Sequence, residues 1–94
     1  MLLQINYLIR SKKDGKYLVA RLPQKNGIEA SYLLVFQHDY DALSYINTHS
    51  QGYSDRLTVE TASPIQLKSM LERWNYDGFG IVKDPLVPRI EFVA

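Results

Sequence analysis

The chain has 94 residues, enough for one small domain over residues 1–94, and no apolar run approaches the ~20 residues needed to span a bilayer. Hydrophobic residues make up 46% of it and cysteine is absent, so we expect a folded cytoplasmic domain without disulfides, thiol catalysis or cysteine-ligated zinc. The net charge of +1 hides an asymmetry, since residues 1–36 carry six Lys/Arg against two acids, net +4, and residues 37–94 carry five against eight, net −3.

The first third of the chain predicts three strands joined by tight turns. Residues 2–10 alternate apolar and polar side chains, which is typical of a half-buried strand rather than a signal peptide. Asp14-Gly15 suits a hairpin turn, after which residues 16–22 form a returning strand that Pro23 ends. Residues 31–36 are continuously apolar, which predicts a central strand with both faces covered.

The rest of the chain predicts two helices and three strands. Asp39 suits a helix N-cap and Gly52 a helix end, and residues 56–62 then alternate as a fourth strand. Ser63-Pro64 begins the second helix, because serine followed by glutamine three residues later forms a capping box and proline favours the first helical position. The apolar stripe of this helix consists of Leu67, Met70, Leu71 and Trp74. We expect Gly78 to end the helix and two short strands to follow.

The element order is therefore β-β-β-α-β-α-β-β. This order predicts an α+β domain, with a mixed sheet of five or six strands and two helices packed on one face. A sheet whose other face stays bare needs a second cover, and self-association is the simplest one. We therefore expect a homodimer.

Residues 76–82, YDGFGIV, resemble the core motif of RNA-recognition domains, in which a basic residue touches phosphate and aromatic rings stack on bases. Here an acid, Asp77, stands at the basic position, and Ile81 replaces the second aromatic residue. The segment also follows the second predicted helix, whereas RNA-recognition domains place this strand between their helices. We expect no base stacking here. Gly78 closes the helix and Phe79 enters the core.

No catalytic constellation is visible, so we expect a protein that is not an enzyme and has no cofactor and no metal. His38 and His49 are eleven positions apart, which is not a helical metal-ligand spacing, and no serine lies in a G-x-S-x-G elbow. Asp77 and Asp84 bracket one predicted strand. That placement leaves open a small-ligand or enzymatic site in a cleft near them.

Two sets of residues are candidates for a partner surface. The first is a basic patch for an anion or an acidic partner, and it consists of Arg10, Lys12, Lys13, Lys16, Arg21 and Lys25. The alternative interpretation of this patch is a solvated hairpin tip. The second set is Tyr40 and Tyr53, which lie in or beside predicted loops, because tyrosine is enriched at interfaces.

The runs SYLLVFQHDYDALSYI and SPIQLKSMLERWNYDGFGIVKDP, within residues 31–85, resemble the N-terminal domain of SseB-type proteins. There a strand ending in Val-Phe precedes a helix, and a later strand runs into an Asn/Asp-Pro turn. The runs are also similar to small cyanobacterial and plastid domains of unknown function. The resemblance implies a non-catalytic accessory domain, so we expect a protein–protein interaction or regulatory module. Nucleic-acid binding through the basic patch is the alternative.

Overall fold

The computed structural model describes residues 4–24, 26–50, 52 and 54–93. The helices and strands are β1 (Asn6–Ser11), β2 (Val19–Pro23), β3 (Glu29–Phe36), α1 (Asp39–His49), β4 (Leu57–Ala62), α2 (Pro64–Trp74), β5 (Gly78–Asp84) and β6 (Arg89–Val93). A short 3-10 turn, Ser54–Arg56, precedes β4. The order matches the predicted one and confirms an α+β domain. Within the described ranges, neither helix has the length and apolarity to cross a membrane.

The six strands form one mixed sheet, as predicted, in the order β4-β1-β3-β5-β6, with β2 paired to β3 beside β1. β1 pairs with β4 along its length but meets β3 at Tyr7↔Phe36. After Ser11, the chain leaves β1 in a turn that leads away from β3. It returns as β2, which pairs with the first half of β3. On its other edge β3 is parallel to β5. β3 is therefore the central strand, as its apolar sequence predicts.

The two helices lie on opposite faces of this sheet, so the prediction that both pack on one face is wrong. Ala42 and Ile46 of α1 pack with Leu34 and Phe36 of β3. Leu67 of α2 packs with the alternate residues of the same strand, Leu33 and Val35. Because successive side chains of a strand point to opposite faces, the two clusters occupy the two sides of the sheet.

The strand order explains this placement. β3, β4 and β5 run in the same direction, since β1 is antiparallel to both β3 and β4 and β5 is parallel to β3. α1 leads outward from β3 to β4, and α2 leads back across the sheet from β4 to β5. Right-handed crossovers in opposite directions put their helices on opposite faces. The reason for expecting a homodimer, a bare sheet face, therefore no longer applies.

The capping residues of the helices differ in part from the predicted ones. Ser63 caps α2 with both hydrogen bonds of the capping box, as predicted. The last residue of α2 is Trp74, and its C-cap is Asn75, which adopts the left-handed conformation with φ 58°; Gly78, which was expected to end the helix, is the first residue of β5. His38, and not Asp39, holds the N-cap position of α1. Asparagine tolerates positive φ, which is why it can end a helix where glycine was expected.

Candidate functional site

A shallow groove of about 250 Å³ lies where the end of α2 meets the β2 side of the sheet. We call it the aromatic–basic groove. Its lining consists of Lys16, Tyr17, Val19, Arg21, Ser31, Trp74, Asn75 and Tyr76. Three of these side chains are aromatic, two are cationic and two carry neutral hydrogen-bonding groups, so the groove combines flat apolar surface with positive charge.

The floor of the groove comes from β2 and the residues just before it. Tyr17, Val19 and Arg21 alternate along the chain and share the face on which α2 packs, because Val19 is paired with Leu33 and Arg21 with Ser31. Tyr17 is held by an isolated bridge to Arg10. The turn between them follows the Asp14-Gly15 prediction, with Gly15 at φ 71°. The hairpin therefore fixes where the tyrosine ring enters the groove.

The wall of the groove is the end of α2, which is attached to the start of β3. The Tyr76 N–H donates to the Leu71 carbonyl at 3.0 Å, and the Asp77 N–H donates to the Ser31 carbonyl at 2.8 Å. In return, the Ser31 N–H donates to Asp77 Oδ2 at 2.7 Å. These bonds bring the chain directly from the helix to the sheet, so the side chains at the helix end stand beside β2.

Three aromatic rings meet in the groove. Tyr17 and Trp74 form an edge-to-face pair with centroids 6.0 Å apart and an interplanar angle of 82°. Trp74 and Tyr76 are nearly parallel, at 11°, with centroids 6.4 Å apart. Trp74 keeps 39% of its surface exposed. The groove therefore presents part of an indole to solvent, held in place by two tyrosines.

Next to the rings, one carboxylate accepts hydrogen bonds from both a cation and a phenol. Glu60 accepts from Arg10 Nη1 at 3.3 Å and from the Tyr17 hydroxyl at 3.0 Å. The Arg10 guanidinium also lies over the Tyr17 ring, 5.0 Å from its centroid, and donates from Nε to the Gly15 carbonyl at 2.8 Å. Burial and the neighbouring Glu60 carboxylate raise the pKa of Tyr17, so its hydroxyl keeps its proton as a donor. Burial likewise raises the pKa of Tyr76.

Because of this network, the cations of the predicted basic patch differ in their pairing and exposure. Arg10 is engaged with Glu60 and Tyr17, so part of its charge is balanced by the Glu60 carboxylate. Lys12, Lys13, Lys16 and Arg21 are exposed, and the last two line the groove. Lys25 lies outside the described residues. The structure thus brings part of the predicted patch together with three rings that the sequence did not connect to it.

The tyrosines predicted as a partner surface lie elsewhere. Tyr40 is 60% exposed and stacks on His38, with ring centroids 4.9 Å apart, at the start of α1. It therefore belongs to the helix on the opposite face from the groove. Tyr53 lies outside the described residues.

Asp77 and Asp84 do not meet. Asp77 directly precedes β5 and Asp84 is its last residue, so they are seven positions apart, which corresponds to roughly 23 Å along a strand. Asp77 borders a wide, open depression of about 520 Å³ that also involves Tyr32 and Glu29. Asp84 accepts from the Leu86 N–H at 2.9 Å in the turn before β6. In the described ranges, no three His, Asp or Glu side chains come together in a way that would hold a metal ion.

Of the groove residues that were not predicted as site residues, Trp74 matters most, because its indole is the most exposed of the three rings. Its spacing places it in the core-facing stripe of α2, but the helix ends at Trp74, where it reaches past the buried part of the sheet. The available signal is its position: it is the last residue of the stripe, followed at once by Asn75-Tyr76. Such a terminal aromatic residue is half-buried more easily than one at the middle of the stripe.

No protein-family model, no curated protein and no solved structure matches the chain. The resemblance to the N-terminal domain of SseB-type proteins therefore stays a prediction, and the function is argued from the groove alone.

Proposed function

We propose that this chain is a non-enzymatic interaction module that binds an anionic partner through the aromatic–basic groove. The observation that carries this proposal is the indole of Trp74, 39% exposed beside Tyr17 and Tyr76. Tryptophan, tyrosine and arginine supply most of the binding energy where proteins meet partners, because they offer large, rigid contact areas with a polar group.

The charge of the groove favours an anion. Lys16 and Arg21 line it, and none of its lining residues is acidic. Of the acids beside it, Glu60 is paired with Arg10 at 3.3 Å and Asp77 accepts from the Ser31 N–H at 2.7 Å. The lysines of the adjacent turn, Lys12 and Lys13, extend the positive region. An anionic partner would therefore gain Coulomb attraction without meeting an unpaired carboxylate among the groove-lining residues.

The single tryptophan makes the proposal testable without a label, because its fluorescence reports on the groove alone. Two polyanionic probes are titrated: a single-stranded oligothymidylate and a peptide of alternating glutamate and tyrosine. We expect at least one of them to change the Trp74 emission in a saturable way, and the Lys16→Gln/Arg21→Gln double variant to bind it more weakly.

The matched control removes the same charge elsewhere. Lys68 on α2 and Lys83 on β5 are exposed and do not line the groove. The Lys68→Gln/Lys83→Gln variant therefore has the same net charge as the groove variant and should bind like the unaltered chain. If neither probe changes the Trp74 emission, or if both double variants weaken binding equally, the proposed function is wrong.

A further inference from the structure

We infer that the partner of the groove is a single-stranded nucleic acid, with a base stacked on Trp74 and phosphates at the surrounding lysines and arginine. This inference rests on the proposed function, because it names the chemistry of the partner in the same groove. It adds a distinction between two kinds of anionic chain, a nucleic acid and an acidic peptide.

The first argument is the shape of the apolar surface. Trp74 and Tyr76 present nearly parallel rings, 11° apart, and the groove between them and β2 encloses about 250 Å³. Peptide hot spots insert side chains into well-packed, fully desolvated pockets. A base needs only an exposed flat ring, since every base has a π-face that stacks on an aromatic side chain.

The second argument is the chemistry of the lining. Val19 is the one aliphatic side chain among the groove residues, and the others are aromatic, cationic, amide or hydroxyl groups. Binding sites for apolar side chains or apolar ligands are lined mostly by hydrophobic residues. In proteins that bind single-stranded nucleic acids, aromatic rings stack on the bases and interleaved Lys and Arg side chains contact the phosphates.

The third argument is the arrangement of the cations around the groove. Lys12, Lys13 and Lys16 lie on the turn that leads into Tyr17, and Arg21 follows on β2. Lys16 and Arg21, five positions apart, are separated by at most about 17 Å of extended chain, with the rings beside them. Three acids lie beside these cations: Glu60 is paired with Arg10 and bonded to Tyr17, Asp77 accepts from the Ser31 N–H, and Asp14 accepts from the Lys16 N–H. With Arg10 the cations number five against these three acids, so the net charge along the groove is positive. The cations therefore form a positive path past the stacking surface.

The experiment measures the affinity of a fluorescein-labelled oligothymidylate of about twelve nucleotides, within the length that single-strand sites cover, by anisotropy. Four phosphate contacts predict a slope of about −2.8 for log K against log salt, so that affinity falls about 50-fold between roughly 50 and 200 mM salt. The Lys16→Gln/Arg21→Gln variant should reduce the slope to about −1.4, a loss of about 7-fold over the same range. The Lys68→Gln/Lys83→Gln control should keep the full slope.

Stacking is tested at Trp74 itself. Trp74→Ala should weaken binding by about 5- to 150-fold, the effect of losing one base–aromatic stack, while Trp74→Phe retains a flat ring and should lose less. In the unaltered chain, the oligothymidylate should quench the Trp74 emission, a measurement that needs no variant. Circular dichroism of each variant establishes that it is folded.

The outcomes separate the two proposals. If the Glu/Tyr peptide quenches Trp74 and the oligothymidylate does not, the groove binds an acidic protein segment, so the inference is wrong and the proposed function stands. If neither probe binds, both are wrong. Equal affinity for a duplex of the same sequence, or an unchanged affinity in Trp74→Ala, would show that no base stacks in the groove and would also overturn the inference.

Discussion

The placement of the helices on opposite faces of the sheet predicts that core substitutions under α1 and α2 act independently. Ile46 of α1 is 4% exposed and packs with Phe36 and Leu34, whereas Leu67 of α2 is 1% exposed and packs with Leu33 and Val35. The two clusters have no residue in common. Substitutions at sites without shared partners add to within about 0.3–0.5 kcal/mol.

The magnitudes follow from what each substitution removes. Ile46→Val deletes one buried methylene and should cost about 1 kcal/mol, while Leu67→Ala leaves a cavity and should cost about 3 kcal/mol. The double variant should therefore lose about 4 kcal/mol. A domain of 94 residues has a free energy of unfolding of about 5–14 kcal/mol, which leaves the double variant about 1–10 kcal/mol and keeps the folded state the major one.

The assay is urea denaturation followed by circular dichroism and by Trp74 fluorescence. Ile65→Ala is the control on α2, because Ile65 is 82% exposed and its replacement should change the free energy of unfolding by less than about 0.5 kcal/mol. Helices that shared one face would couple through common neighbours by about 0.5–3 kcal/mol. A coupling energy above about 1 kcal/mol would therefore refute the assignment of the two helices to separate faces.

Three further predictions concern single contacts and are measured by the same urea denaturation. Ser63→Ala removes the capping box of α2 and should cost about 1 kcal/mol, whereas Ser63→Thr should retain most of it. Gly80→Ala would place a methyl group 3.0 Å from Leu34 Cδ2 and should cost about 1–2 kcal/mol; an unchanged midpoint would show that the neighbours yield freely. Because burial and Glu60 raise the pKa of Tyr17, its protonated form stabilises the fold at and below its ordinary pKa of about 10, and this contribution is lost as the pH rises through the higher folded value. The free energy of unfolding should therefore fall above about pH 10, and less steeply in Tyr17→Phe; equal slopes would contradict this role.

The sequence was sufficient to predict features that depend on neighbouring residues. The capping box at Ser63 and the turn at Gly15 form as predicted, because each depends on a few adjacent positions. The continuous apolar run of β3 correctly predicts a strand covered on both faces, since all four residues from Leu33 to Phe36 are buried. That run predicts that both faces are covered but does not specify which element covers each face.

The prediction that both helices pack on one face was wrong because helix placement depends on the order of strands across the sheet. Which face a crossover helix covers follows from the direction in which the chain moves from one strand to the next, and nothing in the spacing of apolar residues specifies it. The predicted end of α2 was wrong for a local reason. Asn75, in the left-handed conformation, caps the end of the helix three positions before Gly78, where the end was expected, so Trp74 is the last helical residue.

The candidate site depends on the same topology, and this explains why no sequence motif predicted it. Its residues come from the turn before β2, from β2 and β3, and from the end of α2, which lies more than 40 positions after β3 begins. Tyr17 meets Trp74 because α2 returns across the face that Tyr17 shares with Leu33, the face that α1 does not cover. If α2 lay with α1, the indole could not reach Tyr17 and the rings would not assemble beside Arg21. The additivity of Ile46→Val and Leu67→Ala is therefore also a test of the groove. Strong coupling between the two substitutions would mean that the helices share one face, and the groove on which both functional proposals rest would then not form.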